Sequence, residues 1–354
     1  MKQILTSILL SFIAFAGNAQ DIHFSQFYEN AILRNPALTG IFSGDYKVGV
    51  NYRTQWGNIS NPFQTTIVSA EGRILVNREQ ADYLSYGLCV SYDHAGSINF
   101  NSLTITPAIN YNKGLNDAHS SYLSAGFAVG YMQRSMDPGK MTLDNQYLYG
   151  FYDPNAPTGE KLAFQNIHHF DVSAGLSFNS TFGENSEVAY YLGAAAWHIT
   201  RPQESFNGNE NFIRLNPKFT GNIGIRMRLS QEFGLSLLGN YANQDPYEET
   251  IFGGLLSWRT TVASAPKPFM FSVGCFARLQ DAIIPTVKID YGLYAFTMSY
   301  DITTSTLKPS LNSKGGYEFS VYIRGKLPKK DNNLDKVRCP QFEQGTNSDF
   351  YMEN

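Results

Sequence analysis

The stretch "DYKVGVNYRTQW", Asp45 to Trp56, decides the fold. Tyr46, Val48, Val50 and Tyr52 alternate with Lys47, Gly49, Asn51 and Arg53, which makes a strand with one apolar and one polar face. In a soluble sandwich the apolar face would be inside and the polar face in water. In a membrane barrel the assignment reverses, with apolar side chains toward lipid and polar ones toward a wet lumen.

The same pattern recurs. From Asn216 to Leu229 the polar set Lys218, Thr220, Asn222, Gly224, Arg226 and Arg228 opposes Phe219, Gly221, Ile223, Ile225, Met227 and Leu229. From His169 to Asn179, and again from Gly316 to Arg324, the alternation repeats. About fourteen such segments follow one another, each near the length that crosses a bilayer when tilted. Two features favour the barrel. Many apolar stripes end in aromatics, among them Tyr46, Tyr52, Tyr92, Tyr111 and Phe170, as interfacial girdles do. Short connections such as Ser230 to Glu232 and Gly292 to Leu293 alternate with long ones at Ser135 to Ile167, Thr200 to Leu215 and Ile302 to Lys314. An even strand count with a periplasmic N-terminus puts the long ones together outside. The reading is an all-β transmembrane outer-membrane barrel over 45–325, with both termini periplasmic.

The flanks fit that reading. Lys2 precedes an apolar run from Ile4 to Ala16 and the small-residue sequence "GNAQ", which makes residues 1–19 a secretory signal peptide. Residues 20–44 form an N-terminal segment, periplasmic or lumenal, and 326–354 a polar periplasmic tail with little structure of its own. Cys89, Cys275 and Cys339 are too few and too scattered for a disulfide scaffold or a zinc site. The alternation sets Cys275 toward lipid and Cys89 toward the lumen. A net charge of −3 argues against nucleic acid as a partner, and aromatics at 14 % with charged residues at only 16 % suit a β-rich exported chain.

Chemistry is sparse. His168, His169 and Asp171 place imidazole and carboxylate on one strand, and His198 and Glu204 lie near the outer end of another. Neighbours on one face are ~7 Å apart at Cα, and no nucleophile elbow, phosphate loop or metal spacing accompanies them. No enzyme and no cofactor are expected. The lumen-facing charges Lys47, Glu71, Arg73, Asp171, Lys218, Arg226, Arg228, Lys288, Asp290, Asp301, Glu318 and Arg324, with Arg53 and Asn51, could filter solutes, pair with one another, or pair with a polypeptide inside the barrel.

Two signatures resemble a known family. "FSQFYENAILRNPALTG" followed by "VGVNYRTQWGNISNPFQTT", and the closing "DAIIPTVKIDYGLYAFTMSYDITTSTLKPSLNSKGGYEFSVYI", are similar to the two ends of the PorP/SprF outer-membrane proteins of the type IX secretion system. Asn35, Pro36, Ala37, Gly40, Tyr52, Arg53, Gln55 and Trp56 carry the first; Pro285, Ser299, Tyr300, Asp301, Gly316, Tyr317 and Glu318 carry the second. The resemblance implies a barrel that docks, anchors or assists export of a large adhesin-like surface protein through that protein's C-terminal targeting domain. It implies periplasmic secretion components and outer-membrane lipid as further partners, and a link to gliding motility. Asn35, Pro36, Tyr52, Arg53, Gln55 and Trp56 are the candidate partner-binding residues. The alternative is a general or selective porin.

Overall fold

The computed structural model describes residues 21–55, 61–77, 79–116, 121–148, 150–159, 164–183, 187–206, 213–260, 268–305, 314–327 and 342. Residues 1–20, with the stretch expected to be a signal peptide, and Trp56 and Cys339 lie outside them. Fourteen strands close into one antiparallel barrel: β1 (Tyr46–Gln55), β2 (Phe63–Asn77), β3 (Asp82–Ala95), β4 (Phe100–Asn116), β5 (Ser121–Ser135), β6 (Asn166–Phe182), β7 (Val188–Trp197), β8 (Lys218–Arg228), β9 (Phe233–Gln244), β10 (Tyr247–Arg259), β11 (Phe269–Arg278), β12 (Ala282–Tyr291), β13 (Tyr294–Thr303) and β14 (Lys314–Gly325). Each strand pairs with its neighbours in sequence, and β1 closes on β14 with Tyr46 opposite Gly325 and Gln55 opposite Gly316. Closure leaves no strand edge, which is what a sheet needs to stand in hydrocarbon. Among the described residues no helix is long and apolar enough to cross a membrane.

The alternation is read directly in exposure. Val48, Val50, Ile223, Phe219, Val273 and Phe319 are exposed on the outer wall, while Lys47, Asn51, Asn222, Arg226 and Glu318 are buried within. Cys275 is exposed beside Val273, and Cys89 is buried. Pro285, lacking an N–H, falls where the β12–β13 pairing skips from Ile283 to Thr286.

The connections 136–165, 198–217 and 304–313 share one end of the barrel, here the loop end. That end also carries tight connections at 245–246 and 279–281, and the opposite, turn end carries one of moderate length at 260–268. The segregation is therefore partial. Both the start of β1 and the finish of β14 are at the turn end, where Leu327 N donates to Asp45 Oδ2 at 2.9 Å.

Of the two places open to the N-terminal segment, periplasm or lumen, the structure has it in the lumen. Residues 22–44 run inside the barrel, and Phe24, Phe27, Tyr28, Ile32, Ala37, Leu38, Ile41 and Phe42 are all buried there. The polar wall faces a polypeptide plug, so Asp45–Arg53 has lipid on one side and protein on the other.

Candidate functional site: a plugged lumen

The plug begins at the loop end. Asp21 Oδ2 accepts from Lys218 Nζ at 2.6 Å, at the start of β8, and pairs with His198 Nε2 at 2.9 Å. His198 Nδ1 meets Asp171 Oδ2 at 2.8 Å on the other side. Burial disfavours the imidazolium, but the two carboxylates outweigh it and the His198 pKa is pushed up to about 9. Burial likewise opposes the Asp21 anion, yet Lys218 and His198 hold its carboxyl well below the usual range.

Deeper in, the backbone N–H groups of Ser25 and Gln26 donate to the two oxygens of Glu318 at 2.7 and 2.9 Å. Ser25 Oγ donates to Asp301 Oδ1 at 2.6 Å, and Asp301 also holds Arg53 at 3.0 Å and Arg278 at 3.3 Å. Arg53 reaches the His23 carbonyl as well. One turn on, Glu29 accepts from Lys288 Nζ at 2.6 Å and from Thr297 Oγ1 at 3.1 Å, while Lys47 Nζ donates to the Glu29 carbonyl at 2.9 Å. All of these groups are buried. A carboxylate and its cations removed from water together keep their geometry, because either alone would carry a large desolvation penalty.

The middle of the plug folds locally. A single helical turn, α1 (Ala31–Arg34), ends at Asn35, whose side chain accepts from Ala37 N at 2.8 Å and so caps the 3₁₀ turn Pro36–Leu38. Pro36 supplies the first-turn φ at no cost in hydrogen bonds. This turn rests on glycines of three adjacent strands. A Cβ on Gly126 of β5 would run into the Pro36–Ala37 peptide, and one on Gly175 of β6 or Gly193 of β7 into the Asn35 side chain. Asn35 Nδ2 then donates to the Leu176 carbonyl at 3.1 Å, and Asn110 and Ser177 donate to the Ala37 carbonyl at 2.9 Å each. At the turn end Gly40 N donates to Glu71 at 2.9 Å, and the Arg73 guanidinium lies over the Phe42 ring.

Two spaces remain. A cavity of about 340 Å³ lies toward the loop end, lined by the upper plug (Asp21, His23, Phe27) and by Gln55, Glu249 and Arg278. A smaller one of about 60 Å³ lies under the plug among Tyr28, Leu38, Tyr191, Leu255 and Met270.

The candidate residues are thereby placed. Lys47, Asn51, Glu71, Arg73, Asp171, Arg226, Lys288, Asp290, Asp301, Glu318 and Arg324 are buried inside the barrel, with Lys218 and Arg228 on the same wall. Arg324 pairs with Asp290, and Arg228 with Glu187 at 3.9 Å. Of the expected partner contacts, Asn35, Pro36 and Arg53 are buried in plug packing, Gln55 lines the upper cavity, and Tyr52 is exposed on the outer wall. A single partner surface does not unite these five. Asp21 lies toward the loop end of the barrel and Gly325 at its turn end.

The histidines assemble differently from the linear neighbours. Asp171 is brought to His198, not to His169, and Glu204 pairs with Arg134 at 2.6 Å. Thr200 Oγ1 donates to Asp171 and not to His198, so the imidazole has two carboxylate partners and no nucleophile. Among the described residues no group of three His, Cys, Asp or Glu is placed to hold a metal. Sequence reasoning missed the anchors Ser25, Gln26, Glu29, Asn30 and Arg34. The available signal was a charged pair, Glu29 and Arg34, set in an otherwise apolar and aromatic run.

A model of the type IX secretion system membrane proteins PorP/SprF matches residues 16–323. The chain belongs to that family. Both resemblance signatures fall inside the match, and the first of them is the plug with the strand it leads into. Comparison with curated protein sequences finds no match. Among solved structures, this PorP/SprF chain is similar to the Ralstonia pickettii toluene transporter TbuX, at 11 % identity and a TM-score of 0.52 over 83 % of this chain and 93 % of that one. It is also similar to a Pseudomonas aeruginosa FadL homologue, at 9 % identity and a TM-score of 0.46 over 83 % and 93 %. At such identity the likeness is one of fold, that of an outer-membrane barrel. The family is one of type IX secretion system membrane proteins, and the fold is that of an outer-membrane barrel.

Proposed function

We propose that this PorP/SprF barrel is a docking component of the type IX secretion system, holding or assisting a large adhesin-like export through that protein's C-terminal targeting domain, beside periplasmic secretion components. The observation that supports this reading is the plug. A diffusion pore needs a continuous aqueous path, and here the lumen is filled by buried aromatic rings and buried ion pairs of the chain's own N-terminal segment. A barrel so closed works through its ends, by binding. The cavity at the loop end, with Gln55, Glu249 and Arg278 on its wall, is the accessible surface such a partner would meet.

The test has two arms. Purified protein in planar bilayers is expected to conduct negligibly, and deletion of the gene is expected to abolish surface display of one large exported protein while nutrient uptake continues. Steady conductance by the intact chain, with every adhesin still displayed by the deletion strain, would establish the porin reading instead.

A further inference from the structure

One residue from beyond the last strand, Phe342, lies inside the barrel. Phe342 is 9 % exposed and belongs to the same buried apolar cluster as Phe27, Tyr28, Leu38 and Ile41 of the plug. Its ring meets Tyr191 edge-on with centroids 4.4 Å apart, and Arg226 Nη1 donates to its carbonyl at 3.5 Å. A Cβ on Gly224 would collide with both Tyr191 and Phe342, so the absence of a side chain there leaves room for two rings. Tyr191 in turn accepts from Arg34 of the plug at 2.7 Å, and the Arg34 guanidinium also lies 5.6 Å from the centre of the Phe27 ring. A contact made by Phe342 is thus one residue removed from the plug itself.

We propose that the slot beside the small cavity under the plug, formed by Tyr191, Gly224 and Arg226, is a receptor for an aromatic side chain on an extended segment, and that the chain's own C-terminal tail occupies it with Phe342 as a releasable stopper. Three features make it a binding site and not merely core. Phe342 comes from outside the barrel strands, on a connector from Gly325 that could reach ~55 Å when extended. The pocket lies toward the turn end, where that connector starts: its walls are the lower halves of β8 to β12, at Arg226, Leu238, Leu255, Met270 and Lys288. Recognition is also split as it is for a peptide ligand, with an apolar slot for the ring and an arginine for the backbone carbonyl. A tethered occupant competes at an effective concentration in the millimolar range, so a free ligand of ordinary affinity is excluded until the tail leaves. This inference does not depend on which export, if any, docks at the other end.

The experiment uses the full-length protein in detergent and a fluorescent synthetic peptide spanning Val337 to Gly345, with serine in place of Cys339. Full-length Phe342→Ala, checked for folding by heat-modifiable mobility, is expected to bind the peptide at least tenfold more tightly than the unaltered protein does. A peptide carrying alanine at the phenylalanine position is expected to lose that binding. Equal binding to the two proteins, or equal binding of the two peptides, overturns the proposal. As a second measurement, 4-fluorophenylalanine at position 342 of the otherwise unaltered chain should give a buried fluorine signal that shifts to the free-peptide value as excess unlabelled peptide is added. A signal already at the free value, or one that excess peptide leaves unmoved, overturns it as well.

Discussion

Two carboxylates on the plug, Glu29 fully buried and Asp21 partly so, act as its fasteners, and each makes a separate prediction. Glu29 sits between Lys288 at 2.6 Å and Lys47 at 4.0 Å, all but inaccessible to water. Glu29→Ala strands two buried cations, which should cost about 3–5 kcal/mol; thermal unfolding of the detergent-solubilised barrel measures it, and Thr297→Ala, which removes one neutral donor, should cost far less. At the loop end the His198 pKa rises from its ordinary 6.5 to about 9, so the stabilisation it provides is complete below pH 6.5 and is lost as pH rises through 9. Asp21 is shifted the other way, so its share is present above its ordinary 3.8 and is lost on acidification below that value. Unfolding followed between pH 6 and 10 should show the intact protein losing stability relative to His198→Gln, which has no such proton to lose.

At the scale of an element, the strand alternation sets which substitutions hydrocarbon forbids and which the plug forbids. Val50 and Ile223 face outward, and lysine at either should cost about 2–4 kcal/mol if the position is near mid-bilayer, read as loss of heat-modifiable folded barrel. On the sequence alone Asn51→Lys is expected to be mild, as befits a wet lumen. The structure reverses that expectation: Asn51 is wholly buried, with its Oδ1 against the Tyr322 hydroxyl, whose one hydrogen is shared between Asn51 and Asn30. A lysine there would meet Lys47 and the plug with no water to take its charge, so Asn51→Lys should fold as poorly as Val50→Lys. The glycine shelf makes a sharper case. Gly126→Leu leaves the outer wall untouched but drives a side chain into the Pro36–Ala37 peptide, and should expose the plug to protease while the barrel still forms.

For the whole molecule, closure is shared between two layers that fail in different ways. The wall is one continuous ladder from β1 round to β14, whereas the plug is held by side chains. Weakening the plug should therefore open a conducting path before the barrel unfolds. The variant Glu29→Ala combined with Asp301→Asn, which removes the carboxylate shared by Arg53, Arg278 and Ser25, is expected to conduct in planar bilayers where the intact chain does not.

The strand count, the alternation of faces and the family were legible in the residues, because period-two patterning and the "NPALTG" and "GGYE" signatures are local properties of the chain. The direction of Lys47, Arg226 and Glu318 into the barrel follows from that same period. What they meet there does not. Glu29 is 259 residues from Lys288 along the chain, and Ser25 is 293 from Glu318; no pattern in either segment alone states that pairing. Gly126, Gly175 and Gly193 become a seat only once three strands lie side by side. Phe342 belongs to the stretch whose composition reads as a polar tail with little structure of its own, and its burial depends on a slot that closure of the barrel creates between β7 and β12. Local periodicity determines which way a side chain points. Only the closed sheet brings distant segments within a few ångströms, and at that range burial and ion pairing turn a tube into a stoppered one.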